Sequence, residues 1–86
     1  MVGSVGRVRK ILADRGYGFI QIHGLSKDVF FHANNFKDKK IFAALQEGQF
    51  LGFKCSEVDA RLRASECWVL TDEEIHDMRE KGELDF

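Results

Sequence analysis

Four residues with flat, polarisable side chains recur at a spacing of two: Tyr17 and Phe19, then Phe30 and His32. In an extended strand, alternate side chains point to opposite faces. Tyr17, Phe19 and Gln21 therefore share one face of residues 17–22, with Gly18, Ile20 and Ile22 on the other. Likewise Asp28, Phe30 and His32 share one face of residues 28–32, with Val29 and Phe31 opposite. The Ile/Val side suits a core, which leaves the ring side at the surface. Arg9, Lys10, Arg15 and Lys27 lie close by in sequence. Flat rings among cations could take up a single-stranded nucleic acid: each unpaired base stacks for ~1–3 kcal/mol, and the cations follow the phosphates. The plainer possibility is that all these rings are core. A small barrel cannot bury both faces of one strand, which favours the surface platform.

Other chemistry finds little support. Among Ser, Cys and Lys, no nucleophile sits in an activating motif, and there is no His-Glu-x-x-His or phosphate loop. Asp14 and Asp28 suit turn and salt-bridge roles better than a catalytic acid pair. Below ~90 residues there is also little room for a water-excluding pocket. The expectation is a non-enzyme without cofactor or metal. Cys55 and Cys67 have no partner Cys or His pair nearby, which fits neither a zinc site nor a disulfide framework. They read as reduced thiols of a cytoplasmic protein. His23 and His76 look like surface residues. No apolar run approaches the ~18–20 residues of a membrane span, and the N-terminus lacks a signal-peptide core.

The elements that must position these residues follow from the glycines and the short Val/Ile/Phe-rich runs between them. Strands are expected over 5–12, 17–22, 28–32, 49–57 and 64–70. Turns fall at 13–16, where Gly16 can take positive φ, at 47–48, and at a polar loop over 58–63; another loop spans 23–27. Residues 33–46 show no strand pattern, and 41–45 could form a helical turn. Five short strands suggest an all-β, five-stranded antiparallel barrel. Thr71-Asp72-Glu73-Glu74 is a capping-box pattern, with acids suited to the first turn of a helix. Ile75 and Met78 fall on one face, and Gly82 stands where a helix would end. The spacing predicts a helix over 72–81, with 83–86 frayed.

These residues also carry a family resemblance. Arg15-Gly16-Tyr17-Gly18-Phe19-Ile20 resembles the first ribonucleoprotein motif of the cold-shock domain, Lys-Gly-Phe-Gly-Phe-Ile. Lys27-Asp28-Val29-Phe30-Phe31-His32 resembles the second, Lys-Asp-Val-Phe-Val-His. Gly6-Arg7-Val8-Arg9 fits the opening strand, and Leu45-Gln46-Glu47-Gly48-Gln49 with Phe53 fits the Leu-x-Glu-Gly-Gln-x-Val-x-Phe stretch. The resemblance covers about residues 3–70. It implies an OB-fold Greek-key barrel that binds single-stranded RNA and DNA, with Phe42 supplying the aromatic of the family's long loop. There are departures. Lys10-Ile11-Leu12 stands where Trp-Phe-Asn is usual, Ala33 where Phe is frequent, and Arg61-Leu62-Arg63 near the usual Gly-Pro. The loss of stacking partners implies weaker binding than in an ordinary member. Lys10 would add a salt-dependent phosphate contact in return.

A formal net charge of −1 in 86 residues speaks against nucleic acid at first sight. It is the sum of unlike parts. Residues 1–71 hold eleven basic and seven acidic side chains; residues 72–86 hold two and seven. A basic barrel over 1–70 thus carries an acidic tail over 71–86. If Cys67 and Val69 face inward, Trp68 and Leu70 face out, where Ile75 and Met78 could cover them as a lid. Two alternatives stay open. The acidic tail could compete with phosphate on the basic face, or Trp68, Ile75 and Met78 could dock a protein partner or a second copy. In that second case the chain would be a cold-shock-fold interaction module with weak or lost nucleic-acid binding.

Overall fold

The computed structural model describes residues 4–22 and 27–82. The chain builds β1 (Ser4–Leu12), β2 (Tyr17–Gln21), β3 (Asp28–His32), α1 (Lys39–Ala43), β4 (Phe50–Val58), β5 (Arg61–Val69) and α2 (Asp72–Glu80). The strands close into a barrel in the order β1-β2-β3-β5-β4. This is the expected five-stranded barrel with a C-terminal helix.

Closure depends on β1, which serves two neighbours. Its first half pairs with β4, from Ser4↔Phe53 to Arg7↔Phe50. Its second half pairs with β2, from Arg7↔Gln21 to Leu12↔Tyr17. The register shifts between Val8 and Lys10, so Arg9 is the extra residue of a bulge. A bulge increases local bend and twist, which a strand shared by two sheet halves requires. The last seam is parallel, Val29↔Leu62 and Phe30↔Arg63. The expected alternation holds inside. Val8, Ile20, Val29, Phe31, Leu51 and Phe53 are fully buried and form the heart of the core.

The connections carry their own reasons. Ala13–Arg15 form a 3-10 turn that ends at Gly16 with φ +76°. Asp38 caps α1, its Oδ1 accepting from the Lys40 amide at 2.9 Å. Gly48 sits at φ +92° in its turn.

The hairpin between β4 and β5 differs from expectation. A loop over 58–63 was predicted; instead β5 begins three residues earlier, at Arg61. Only Asp59 and Ala60 turn the chain, at φ 53° and 63°. Two left-handed residues suit the right-handed twist of a two-residue hairpin. Polar residues there suggested a loop, but on a sheet ribbon with one solvated face Arg61 and Arg63 point out while Leu62 packs inward.

Helix α2 follows its capping box. Thr71 Oγ1 accepts from the Glu74 amide at 3.1 Å, and Glu74 Oε1 accepts from the Thr71 amide at 2.9 Å. Gly82 takes φ +73° after it. Ile75 and Met78 pack with Val5 and Trp68 on the buried pair Phe50 and Leu70, a second, smaller cluster. Trp68 reaches that place because Gly52, its cross-strand partner, has no side chain: a Cβ there would overlap the indole. The expected lid geometry is present. The expectations for residues 23–26 and 83–86 lie outside the described residues.

Candidate nucleic-acid interface

Strands β2 and β3 run antiparallel with Tyr17 opposite His32, Phe19 opposite Phe30 and Gln21 opposite Asp28. This register brings the four expected rings to one outer face. Tyr17 and Phe30 lie 5.4 Å apart between centroids, tilted by 33°. Tyr17–Phe19 and Phe19–Phe30 meet edge-on at 6.1 and 6.0 Å. All four are half-buried, and Tyr17, Phe19 and Phe30 are in mutual ring contact. On the inner face of β2, Gly18 leaves room for the core and for the β1 backbone. A Cβ on it would stand 2.7 Å from Phe31 Cζ and 2.5 Å from Lys10 O, so a larger residue would push the core ring away from β2.

His32 is held from two sides. Its Nδ1 accepts from the Asn34 amide at 3.0 Å, and its own amide donates to Asn35 Oδ1 at 2.6 Å. With Nδ1 committed as acceptor, the neutral ring carries its proton on Nε2, which is left as a donor. The Ala33 amide donates to Gly16 O at 2.9 Å, tying the end of β3 to the turn that carries Arg15.

The cations surround the rings unequally. Lys10 stands opposite Phe19 on β1 and is exposed. Arg15 is exposed on the turn leading into Tyr17. Neither makes an ion pair among the described residues. Arg9 Nη1 donates to both oxygens of Asp28 at 3.2 Å. Lys27 Nζ donates to Ala60 O at 3.4 Å and lies 3.9 Å from Glu57. Such exposed pairs are worth ~0–1 kcal/mol.

Phe42 is a correction. Expected beside the platform, it is buried at 6% exposure, with its ring 6.0 Å from Phe31 and 6.2 Å from Phe36. The short helix α1 turns that ring into the barrel end, where apolar burial outweighs display. At the substituted positions, Ile11 and Ala33 pack against the core.

Two residues near the rings escaped the sequence reading. Arg63 Cζ lies 5.2 Å over the Phe30 ring, placed there by the parallel β3–β5 seam. Arg61 joins it in a cleft of about 490 Å³ walled by Tyr17, Phe19, Phe30 and Lys27. The alternation Arg61-Leu62-Arg63 is a strand signal. Its neighbour across the seam is 33 positions away and carries no local trace.

The acids of α2 lie elsewhere. The helix packs on Val5, Phe50, Trp68 and Leu70, the β1–β4–β5 side of the closed barrel, whereas the rings stand on β2 and β3. Three of its five acids bond within the helix or its caps: Glu80 with His76, Asp77 with Lys81, Glu74 with Thr71. Arg7 and Arg79 lie over the Phe50 ring at 5.1 and 5.7 Å and help seat the helix. Burial, with Glu66 beside it, pushes the Cys67 thiol up to about 12, so it stays protonated and inert. Among the described residues no His/Cys/Asp/Glu group could hold a metal ion, and no helix is long and apolar enough to cross a membrane.

Among curated proteins none matches the chain. The family model described as the 'Cold-shock' DNA-binding domain matches residues 4–70. Those residues hold the whole closed barrel and both motif strands, so the chain belongs to the cold-shock domain family, whose members bind nucleic acid.

Proposed function

We propose that the protein binds single-stranded RNA or DNA without catalysis, by stacking bases on Tyr17, Phe19, Phe30 and His32. Lys10 and Arg15 contact phosphates, with Arg9 and Lys27 joining when they leave their surface carboxylates. The observation that carries this reading is the register of β2 and β3, which sets the rings side by side on one solvated face. Stacking tolerates any base, so the surface suits a binder of broad sequence range. Strands held this way cannot pair, and hairpins would melt by mass action as an RNA chaperone requires. The reduced thiols fit a cytoplasmic setting.

Binding should be weaker and more salt-dependent than in a family member that keeps the Trp-Phe pair, because Lys10 replaces a ring with a charge. The test is Phe19→Ala with Phe30→Ala. Two lost stacks at ~1–3 kcal/mol each predict a fall in oligonucleotide affinity of at least about 30-fold. The far-UV spectrum should not change. Unaltered affinity in that double variant refutes the proposal.

A second reading makes the chain a cold-shock-fold interaction module with weak or lost nucleic-acid binding, which contacts a protein partner or a second copy through α2 and the patch of Trp68, Ile75 and Met78. Its support is that α2 lies outside the family-matched residues. Sedimentation of the full chain tests for a dimer. A monomer whose α2 variants lose only stability leaves the lid role alone standing.

A further inference from the structure

Arg63 bears on how the platform is filled, and this inference rests on the stacking reading above. The guanidinium lies over Phe30, one of three rings in mutual contact with Tyr17 and Phe19. Arg63 is exposed and makes no ion pair among the described residues. Arg61 and Lys27 line the same cleft. A guanidinium and a base cannot occupy the same face of Phe30 together. The cation–π contact at an exposed site is the weaker of the two.

We propose that Arg63 is a positioning residue that covers Phe30 in the free protein, yields the ring to an incoming base, and then takes the phosphate beside that base. The cover keeps a large apolar ring from standing bare. It also holds the cation within one side-chain length of the place where the phosphate arrives. The cost is that stacking at Phe30 must first break the ring–cation contact, while the gain comes from a phosphate and fades with salt.

Those opposite terms make a specific signature. Affinity for a short oligothymidine is measured from about 50 mM to about 500 mM salt, for the whole chain and for Arg63→Ala. One phosphate contact in a single strand contributes about 0.7 to the slope of log affinity against log salt, so the variant should have the shallower line by that amount. A slope difference of about 0.7 over this tenfold range is about fivefold in all, so the variant should bind about twofold more tightly at the high-salt end, because its Phe30 is already uncovered, and about twofold more weakly at the low-salt end. The two lines therefore cross. Arg63→Lys should recover the wild-type slope. In the free protein, the Arg63 Nε–H resonance should also show a ring-current shift that disappears on adding the oligonucleotide.

Parallel lines would overturn the proposal. So would a variant weaker at every salt concentration, which would make Arg63 a plain phosphate ligand, or a ring-current shift that persists in the complex. Absence of oligothymidine binding by the wild type would remove the stacking reading itself, an outcome distinct from any of these.

Discussion

Replacing Ile75 and Met78 together by alanine should separate the role of α2 from that of the platform. Both side chains are half-buried against Phe50, Leu70, Val5 and Trp68. Full burial of such a side chain is worth about 1.5–3 kcal/mol, so half-burial gives about 1–1.5 kcal/mol each and about 2–3 kcal/mol for the pair. For a domain of this size, 1 kcal/mol moves the melting midpoint by about 4–8 °C, which predicts a fall of about 10–20 °C. Far-UV circular dichroism reads the midpoint. The single tryptophan reads the site, since Trp68 belongs to the same cluster and its emission should shift to the red. Oligonucleotide affinity, measured well below the new midpoint, should not change, because the rings stand on β2 and β3. A midpoint that does not move would show that the helix contributes nothing to the barrel. An affinity that rises would show that the acidic helix competes with nucleic acid, and either result refutes the lid.

Phe42→Ala should cost about 3–5 kcal/mol of stability, as a buried ring does, and leave affinity of the folded fraction unchanged, which chemical denaturation and anisotropy together can check. Ala60→Gly should stabilise the β4–β5 hairpin by up to about 1 kcal/mol, because it relieves a left-handed alanine and makes an Asp-Gly turn; a lower urea midpoint would count against the strain. Cys67 keeps its proton in the fold up to about 12 against an ordinary 9.0. Above the lower value the unfolded state releases a proton that the native state retains. Stability should therefore be fully present below about pH 9 and fall as pH rises toward 12, a slope that Cys67→Ala should flatten. In native protein a thiol reagent should modify Cys55 and spare Cys67 until denaturant is added.

The parts of the site that alternate along one strand were legible from residues alone. Tyr17, Phe19, Phe30 and His32 share a face because the strand period is two, and that period follows from local backbone geometry. The capping box at Thr71 was equally local: both of its hydrogen bonds span three residues. Phe42 shows the limit. Nothing in Lys39-Lys40-Ile41-Phe42-Ala43 tells whether the ring faces the barrel or the solvent, because that depends on where Phe31 and Phe36 stand. The tight hairpin was missed for a related reason. Arg61-Leu62-Arg63 alternates like a strand but is polar enough for a loop, and its pairing with β4 and β3 decides between the two.

By itself, then, the sequence determined the strand periods, the helix cap, the two motifs and the split between a basic barrel and an acidic end. All of these are properties of neighbouring residues and of summed charge. Tertiary structure decided which strands meet. It closed β3 against β5, laid Arg63 over Phe30, buried Phe42, and seated α2 on the side of the barrel away from the rings. The physical reason is common to all four. Each depends on where other elements stand, across 33 positions for Arg63 and Phe30 and across 6 and 11 for Phe42 and the rings it packs on, and such contacts form only when barrel closure offsets the entropy of bringing them together.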